Sequence, residues 1–456
     1  MLKRTMLKMK KLLLLLALIS LIYSCRNTGQ GQLIGVQNRP EYHEQRPFGM
    51  LFIPMGSYTM GNSDQDVPYS HIAPGRTVTV QSFYMDETEI TNNEYRQFVH
   101  WVRDSIAHTI LGELDEPDIY GQHYRADRRT GEVIEYGQAN LYYLINWGEE
   151  IPWDGVGDDD YNPLDEMFLP EHERYFRMKQ IDPRKLNFKY HWIDYRAAAS
   201  MANRDQGMRD RSVFIKDDVI NVYPDTLAWV RDFTYSFNEP WTRNYFWHPA
   251  YDHYPVVGVT WMQARAFSIW RTMLRDSYLV SRDRPFEADF RLPSESEWEW
   301  AARGGLSHSP YPWGGPYTRN NYGCFLANFK PLRGNYIDDG GSHTLIVAHY
   351  APNDFGLYDM AGNVSEWTNS AFDESAYTFG HDLNMDYSYE AKDDDPPALK
   401  RKVVRGGSWK DISYYLHVGT RTYEFQDTAK SYIGFRCVQT FLGRMAGDGP
   451  RASAVY

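Results

Sequence analysis

Gly356-Leu357-Tyr358-Asp359-Met360-Ala361-Gly362-Asn363-Val364-Ser365-Glu366-Trp367 is the segment on which the fold turns. Gly362-Asn363 suits a tight turn or a positive φ, because glycine has no Cβ to clash there and asparagine tolerates that region. Trp367 has the size of a core ring and one polar handle to anchor it. The same pairing of glycines with tryptophan recurs downstream in Arg405-Gly406-Gly407-Ser408-Trp409. Upstream, Arg291-Leu292-Pro293-Ser294-Glu295-Ser296-Glu297-Trp298-Glu299 contains a capping box, Ser294 with Glu297, opening a short helix that Gly304-Gly305 stops. Trp298, Trp367 and Trp409 are therefore expected in the core.

Further out, Met50 to Pro54 and Thr77 to Val80 have the length and composition of strands. Thr91-Asn92-Asn93-Glu94 is a second capping box, followed by Tyr95, Phe98, Val99 and Val102 at helical spacing. His253 to Val259 predicts a strand, and Thr260 with Gln263 a third capping box opening a helix through Ala264, Phe267 and Trp270. There is no alternation of strand and helix and no fixed repeat, which excludes Rossmann, TIM-barrel and solenoid folds. Between about Arg103 and Trp247 lies a long stretch rich in Tyr, Trp and Asp with weak periodicity, expected to be an insertion. Its acidic run, Asp154 to Asp160, lacks the ligand order of an EF-hand and is expected to be a solvated loop.

The first 24 residues have the form of a signal peptide: Lys3, Arg4, Lys8, Lys10 and Lys11, then an apolar run to Tyr23. Ser24-Cys25 after that run resembles a bacterial lipobox, so Cys25 is expected to carry acyl chains that hold the chain to a membrane without spanning it. Residues 25–47 then form a polar tether, 48–440 the folded body and 441–456 a tail. Loss of the signal takes the net charge from −12 to −17. So acidic a body repels phosphate backbones, and no nucleic-acid partner is expected. An aromatic share of 16% with a mean hydropathy of −0.60 points to large rings closing over irregular backbone. Cys324 and Cys437 are the only other cysteines, in no zinc-ligand spacing. They are either one disulfide or two separate thiols.

Taken in order, Phe52 to Gly61, Glu87 to Asn92, Pro255 to Trp261, Arg291 to Glu299, Gly356 to Trp367, Arg405 to Trp409 and Gly434-Phe435-Arg436-Cys437 resemble the formylglycine-generating, or sulfatase-modifying factor, family. The resemblance covers about residues 49–440. It implies an α+β fold, loop-rich, low in regular structure and related to C-type lectins, with the long insertion at about 103–247.

The enzymes of that family bind copper through two cysteines, five apart, between the Gly-Gly-Ser and Gly-Phe-Arg-Cys motifs. Here Ser413 to Thr422 fills the interval without a thiol, and His417 is its one soft donor, expected to be structural. The resemblance thus implies a pseudoenzyme needing no cofactor. It also implies structural calcium, at Asn363 with Glu366 and at Asn328 with Asp338 or Asp339. The family's usual partner for Cys437 is replaced around Ala301-Ala302, leaving Cys324 as the candidate for a disulfide.

A narrower resemblance, carried by the lipobox, the short tether, the aromatic insertion and the missing cysteines, is to the lipoproteins of the type IX secretion and gliding motility machinery. That implies an outer-membrane lipoprotein on the periplasmic face, self-associating into a ring scaffold with a GldN (PorN)-like periplasmic protein. The alternative is a surface lipoprotein that binds glycan or peptide with calcium.

Overall fold

Three capping boxes set the three principal helices. Thr91 caps α1 (Asn92–Glu113), Thr260 caps α2 (Trp261–Ser281) and Ser294 caps α3 (Glu295–Arg303), each hydroxyl accepting from the third backbone N–H while the Glu or Gln there accepts from the cap's own N–H. Gly304 ends α3 in the left-handed region at φ 60°. The structure, a computed structural model, describes residues 42–62, 72–114, 120–125, 145–154, 162–205, 211–236, 239–331, 335, 337–338, 341–381 and 386–443. Cys25, Asp339, most of the signal-and-tether segment and most of the tail lie outside them.

Two four-stranded sheets carry the body, which runs from Gln45 to Gly443. In the first, β1 (Met50–Ile53), β4 (Phe83–Asp86), β12 (Val438–Thr440) and β7 (Phe290–Arg291) pair in that order, all antiparallel. In the second, the order is β10 (Thr422–Phe425), β9 (Arg401–Arg405), β8 (Ser365–Ala371) and β11 (Ile433–Gly434), with β11 parallel to β8. Hairpins β2–β3 (Gly56–Met60 with Arg76–Val80) and β5–β6 (Asn187–Ile193 with Ile215–Asn221) complete the set. The C-terminal strand therefore sits mid-sheet: β12 lies between β4 and β7. Phe441, assigned by sequence to the tail, packs edge-on against Phe52 and Tyr84 and belongs to the body. Trp298, Trp367 and Trp409 are buried as expected.

The strand expected from His253 to Val259 does not form. Gly258 sits at φ +76°, where a Cβ would lie 2.6 Å from the Asp225 carbonyl oxygen. The segment instead spreads its hydrogen bonds over three neighbours, Val256 N–H to Ile90 O, Gly258 N–H to Lys430 O and Asp225 N–H to Gly258 O. Only a single bridge, Thr91 with Pro255, remains of a ladder.

The stretch from 103 to 247 is more ordered than its weak periodicity suggested. Helix α1 runs eleven residues into it, and Ala107 and Leu111 on that extension pack with Leu164, Met167 and Phe168. In the hairpin, Phe188 and Tyr190 point inward while Lys189 and His191 face out. Trp229 and Phe233 stack on Trp409 with ring centroids 5.9 and 5.5 Å apart, so part of the aromatic content covers the body's own core.

Within this region His108 of α1 meets His123, Nδ1 to Nδ1 at 2.8 Å, both buried. His123 Nε2 donates to the Tyr120 carbonyl at 2.8 Å, which leaves its Nδ1 to accept from His108. Burial and the second imidazole push the His108 pKa down to about 4, against a smaller upward pull from Asp104. A folded pKa below the unfolded value of about 6.5 means that stability is full above about 6.5 and is lost as pH falls toward 4. The melting temperature should therefore drop further between neutral and acid pH in the native chain than in His108→Phe; equal drops would contradict the assignment.

Candidate functional site

Helix α3 presents Glu295, Glu299 and Arg303 on one buried face, four residues apart. Glu299 Oε1 accepts from Arg303 Nη2 at 2.6 Å and from the Gly61 N–H at 2.8 Å. Its other oxygen pairs with Arg405, from the end of β9. Arg405 Nη1 continues to the Thr420 carbonyl at 2.8 Å. Glu295 takes Arg421 on both oxygens, at 2.6 and 3.1 Å, and the Tyr377 hydroxyl at 3.1 Å. Burial tends to raise the Glu295 pKa, but Arg421 and Arg405 outweigh it and hold the carboxyl below the usual range. Sequence reading took this segment as a cap and a tryptophan; the Glu-Glu-Arg spacing was the signal for the charged face.

Beside it, Glu366 from β8 binds Arg436 through Nε and Nη2, at 2.8–2.9 and 2.6 Å, and accepts from the Trp298 indole at 2.7 Å. Asn363 holds the tight turn: at φ 59° its Oδ1 accepts from the Leu345 N–H at 2.8 Å and its Nδ2 donates to Glu89 at 2.6 Å. A Cβ on Gly362 would sit 2.4 Å from the Asn328 carbonyl oxygen. Glu89 is pushed well up by burial and by the nearby Asp359 and Glu366 carboxylates, and burial lifts Asp359 to about 6. Glu89, Glu366 and Arg436 are each closed to solvent.

The described residues expected at calcium make these contacts, while Asp339 lies outside the described residues. Glu366 already faces a guanidinium, Asn363 spends its amide on the turn, and Asn328 Nδ2 donates to the His343 carbonyl at 2.8 Å. Asp338 lies exposed, facing Arg319 at 3.4 Å. Among the described residues no group of three or more His, Cys, Asp or Glu is placed to hold a metal. Of the two alternatives for the cysteines, the chain has two separate thiols: Cys324 is exposed on a turn and Cys437 is buried against the Ser268 hydroxyl at 3.4 Å. Burial, with Asp86 adding to it, pushes the Cys437 thiol up to about 12, which keeps it inert.

Residues 36–163 and 170–441 match the sulfatase-modifying factor enzyme 1-like domain. The chain belongs to this family. The bovine inactive C-alpha-formylglycine-generating enzyme 2 is 34% identical over 201 residues, 43% of this chain and 53% of that protein, so the chain spans about half its length. The mouse formylglycine-generating enzyme is 24% identical over 399 residues, 86% of this chain and 75% of its own. PvdO from Pseudomonas aeruginosa, a solved structure, is 17% identical, covering 88% of this chain and 99% of PvdO at a TM-score of 0.42. Relatives in this family are thus named both as enzymes and as inactive.

In this sulfatase-modifying factor-like chain, the interval between the Gly-Gly-Ser and Gly-Phe-Arg-Cys motifs begins as a short 3-10 turn, Ser413–Leu416. His417 follows, edge-on to Tyr311 at 4.9 Å and tilted against Tyr414 at 5.6 Å. The donors there are hydroxyls, phenols, carboxylates and one imidazole, a set that does not fit a thiolate copper site. What fixes the segment is Arg421, tied to Glu295 and to the Ile72 and Asp373 carbonyls. Glu299→Ala should cost about 3–5 kcal/mol by leaving Arg303 without a carboxylate in the core and Arg405 with only Glu295, at 3.7 Å. In urea unfolding, Glu299→Leu combined with Arg405→Met and Arg303→Met should recover most of that loss; no recovery would show that the cluster matters beyond its charges.

Proposed function

We propose that this chain is a non-catalytic member of the family: an outer-membrane lipoprotein of the GldK (PorK) type rather than the GldJ type, lipidated at Cys25. It forms, with a GldN (PorN)-like periplasmic protein, a ring scaffold of the type IX secretion and gliding machinery. The observation that carries the non-catalytic reading is the interval from Ser408 to Phe435, which holds no cysteine and is pinned to α3 by Arg421. The buried charges around it reach no solvent, so they hold structure and offer no general acid or base to a substrate.

Two features support the scaffold reading. The insertion keeps large apolar side chains in solvent, among them Tyr175, Phe176, Tyr195, Met201 and Tyr235, residue types that dominate interface cores. Among the described residues no helix is long and apolar enough to cross a membrane, which suits attachment by a lipid at Cys25.

Extraction of the native protein from outer membranes in mild detergent, followed by sedimentation and negative-stain microscopy, tests the scaffold. A large ring with a second protein at fixed ratio is expected, and a free monomer would sink it. Cys25→Ala should release the protein from the membrane fraction and abolish assembly. Copper bound tightly, with oxidation of a cysteine peptide, would overturn the non-catalytic reading.

A further inference from the structure

A groove of about 770 Å³ lies where the first turn of α1 approaches α2, far in sequence from the interval discussed above. Phe267 and Trp270 line it from α2, Leu274 and Tyr278 extend the same face half exposed, and Phe48 stands at its lip 98% exposed. A cavity of this size suits a ligand of several residues. Trp270 is buried, yet its indole N–H has no acceptor. Three fully buried core tryptophans do have one: Trp261 donates to Thr368 O, Trp298 to Glu366 and Trp367 to Val259 O. A buried donor without a partner is costly, and a peptide carbonyl would satisfy it.

The groove's charges select the ligand. Arg271 is taken by both oxygens of Asp86, at 2.9 and 2.8 Å, and Arg275 by Glu287, at 2.9 and 2.7 Å. Glu94 caps its own helix through Thr91. Glu87, half-buried in the same wall, forms no ion pair with any described residue. The cations are therefore neutralised and two carboxylates, Glu87 and the capping Glu94, face the groove without a cation of their own among the described residues, which favours an arriving ammonium or guanidinium and repels an acid.

We propose that this groove docks an extended peptide segment of a partner protein, one that places an apolar side chain against Trp270 and Leu274, a backbone carbonyl on the Trp270 N–H and a Lys or Arg beside Glu87. The site is independent of the ring, and holds for any partner that presents such a segment.

Calorimetric titration of the full-length protein with acetyl-Ala-Lys-Phe-Lys-Leu-Ala-amide tests it. Saturable binding with a Kd below about 1 mM is expected, and the same peptide with Glu in place of Lys should bind at least about tenfold more weakly. Trp270→Phe, which keeps a ring and removes the donor, should weaken binding about three- to tenfold, and the surface variant Leu274→Ala should weaken it comparably without touching the core. Glu87→Gln should narrow the gap between the two peptides. No saturable binding of the Lys peptide, equal affinity for the Glu peptide, or an affinity unchanged in both Trp270→Phe and Leu274→Ala would overturn the proposal. So would self-association lost in Leu274→Ala with no peptide bound, since the face would then belong to a second copy.

Discussion

The contact between Glu299 and Arg405 holds together parts of the chain that share little else. It joins α3 to the end of β9, and through Arg303 and the Gly61 amide it reaches the β2–β3 hairpin. Charges this deep are stable only when each hydrogen-bonding position is met, because desolvation would otherwise exceed the Coulombic return. The surrounding architecture meets most of that demand: backbone carbonyls from Thr420 and Gly61 turn inward and α3 holds its carboxylates one turn apart, while the Arg405 Nε is left without a partner. Loop-rich folds have few ladders to align their segments. Here a side-chain network fixes alignment over more than a hundred residues of separation.

Membership of a family that includes enzymes and a relative named inactive leaves the scaffold free to carry other roles. The interval in which the family's enzymes place their cysteines is held by Arg421 and by rings around His417. A shape kept by those contacts needs no metal or thiol to persist.

What the sequence revealed and what it hid divide along physical lines. The capping boxes at Thr91, Thr260 and Ser294 were legible because the motif is local and both of its hydrogen bonds fall within four residues. The turn at Gly362-Asn363 and the buried rings of Trp298 and Trp367 were legible for similar reasons. Hairpin β5–β6 was not, since only Phe188 and Tyr190 mark its inner face and its second strand, Ile215–Asn221, is largely solvated. The segment at 253–259 misled because an apolar run describes burial, and burial does not require a ladder. The occupancy of Glu366 by Arg436 depends on residues seventy apart, and no spacing rule could foresee it.

Helix α1 has a consequence of a mechanical kind. Its 22 residues span about 33 Å at the usual rise. Its first turn is bolted to the body by the Asn92 amide, which bonds the Tyr245 and Tyr251 carbonyls, while its last turns carry Leu111 in the cluster with Leu164 and Phe168. A continuous hydrogen-bonded rod between the two regions resists bending far better than a loop. Load applied to the insertion would pass along the helix axis into the core sheets, so the insertion acts as a stiff handle on the domain.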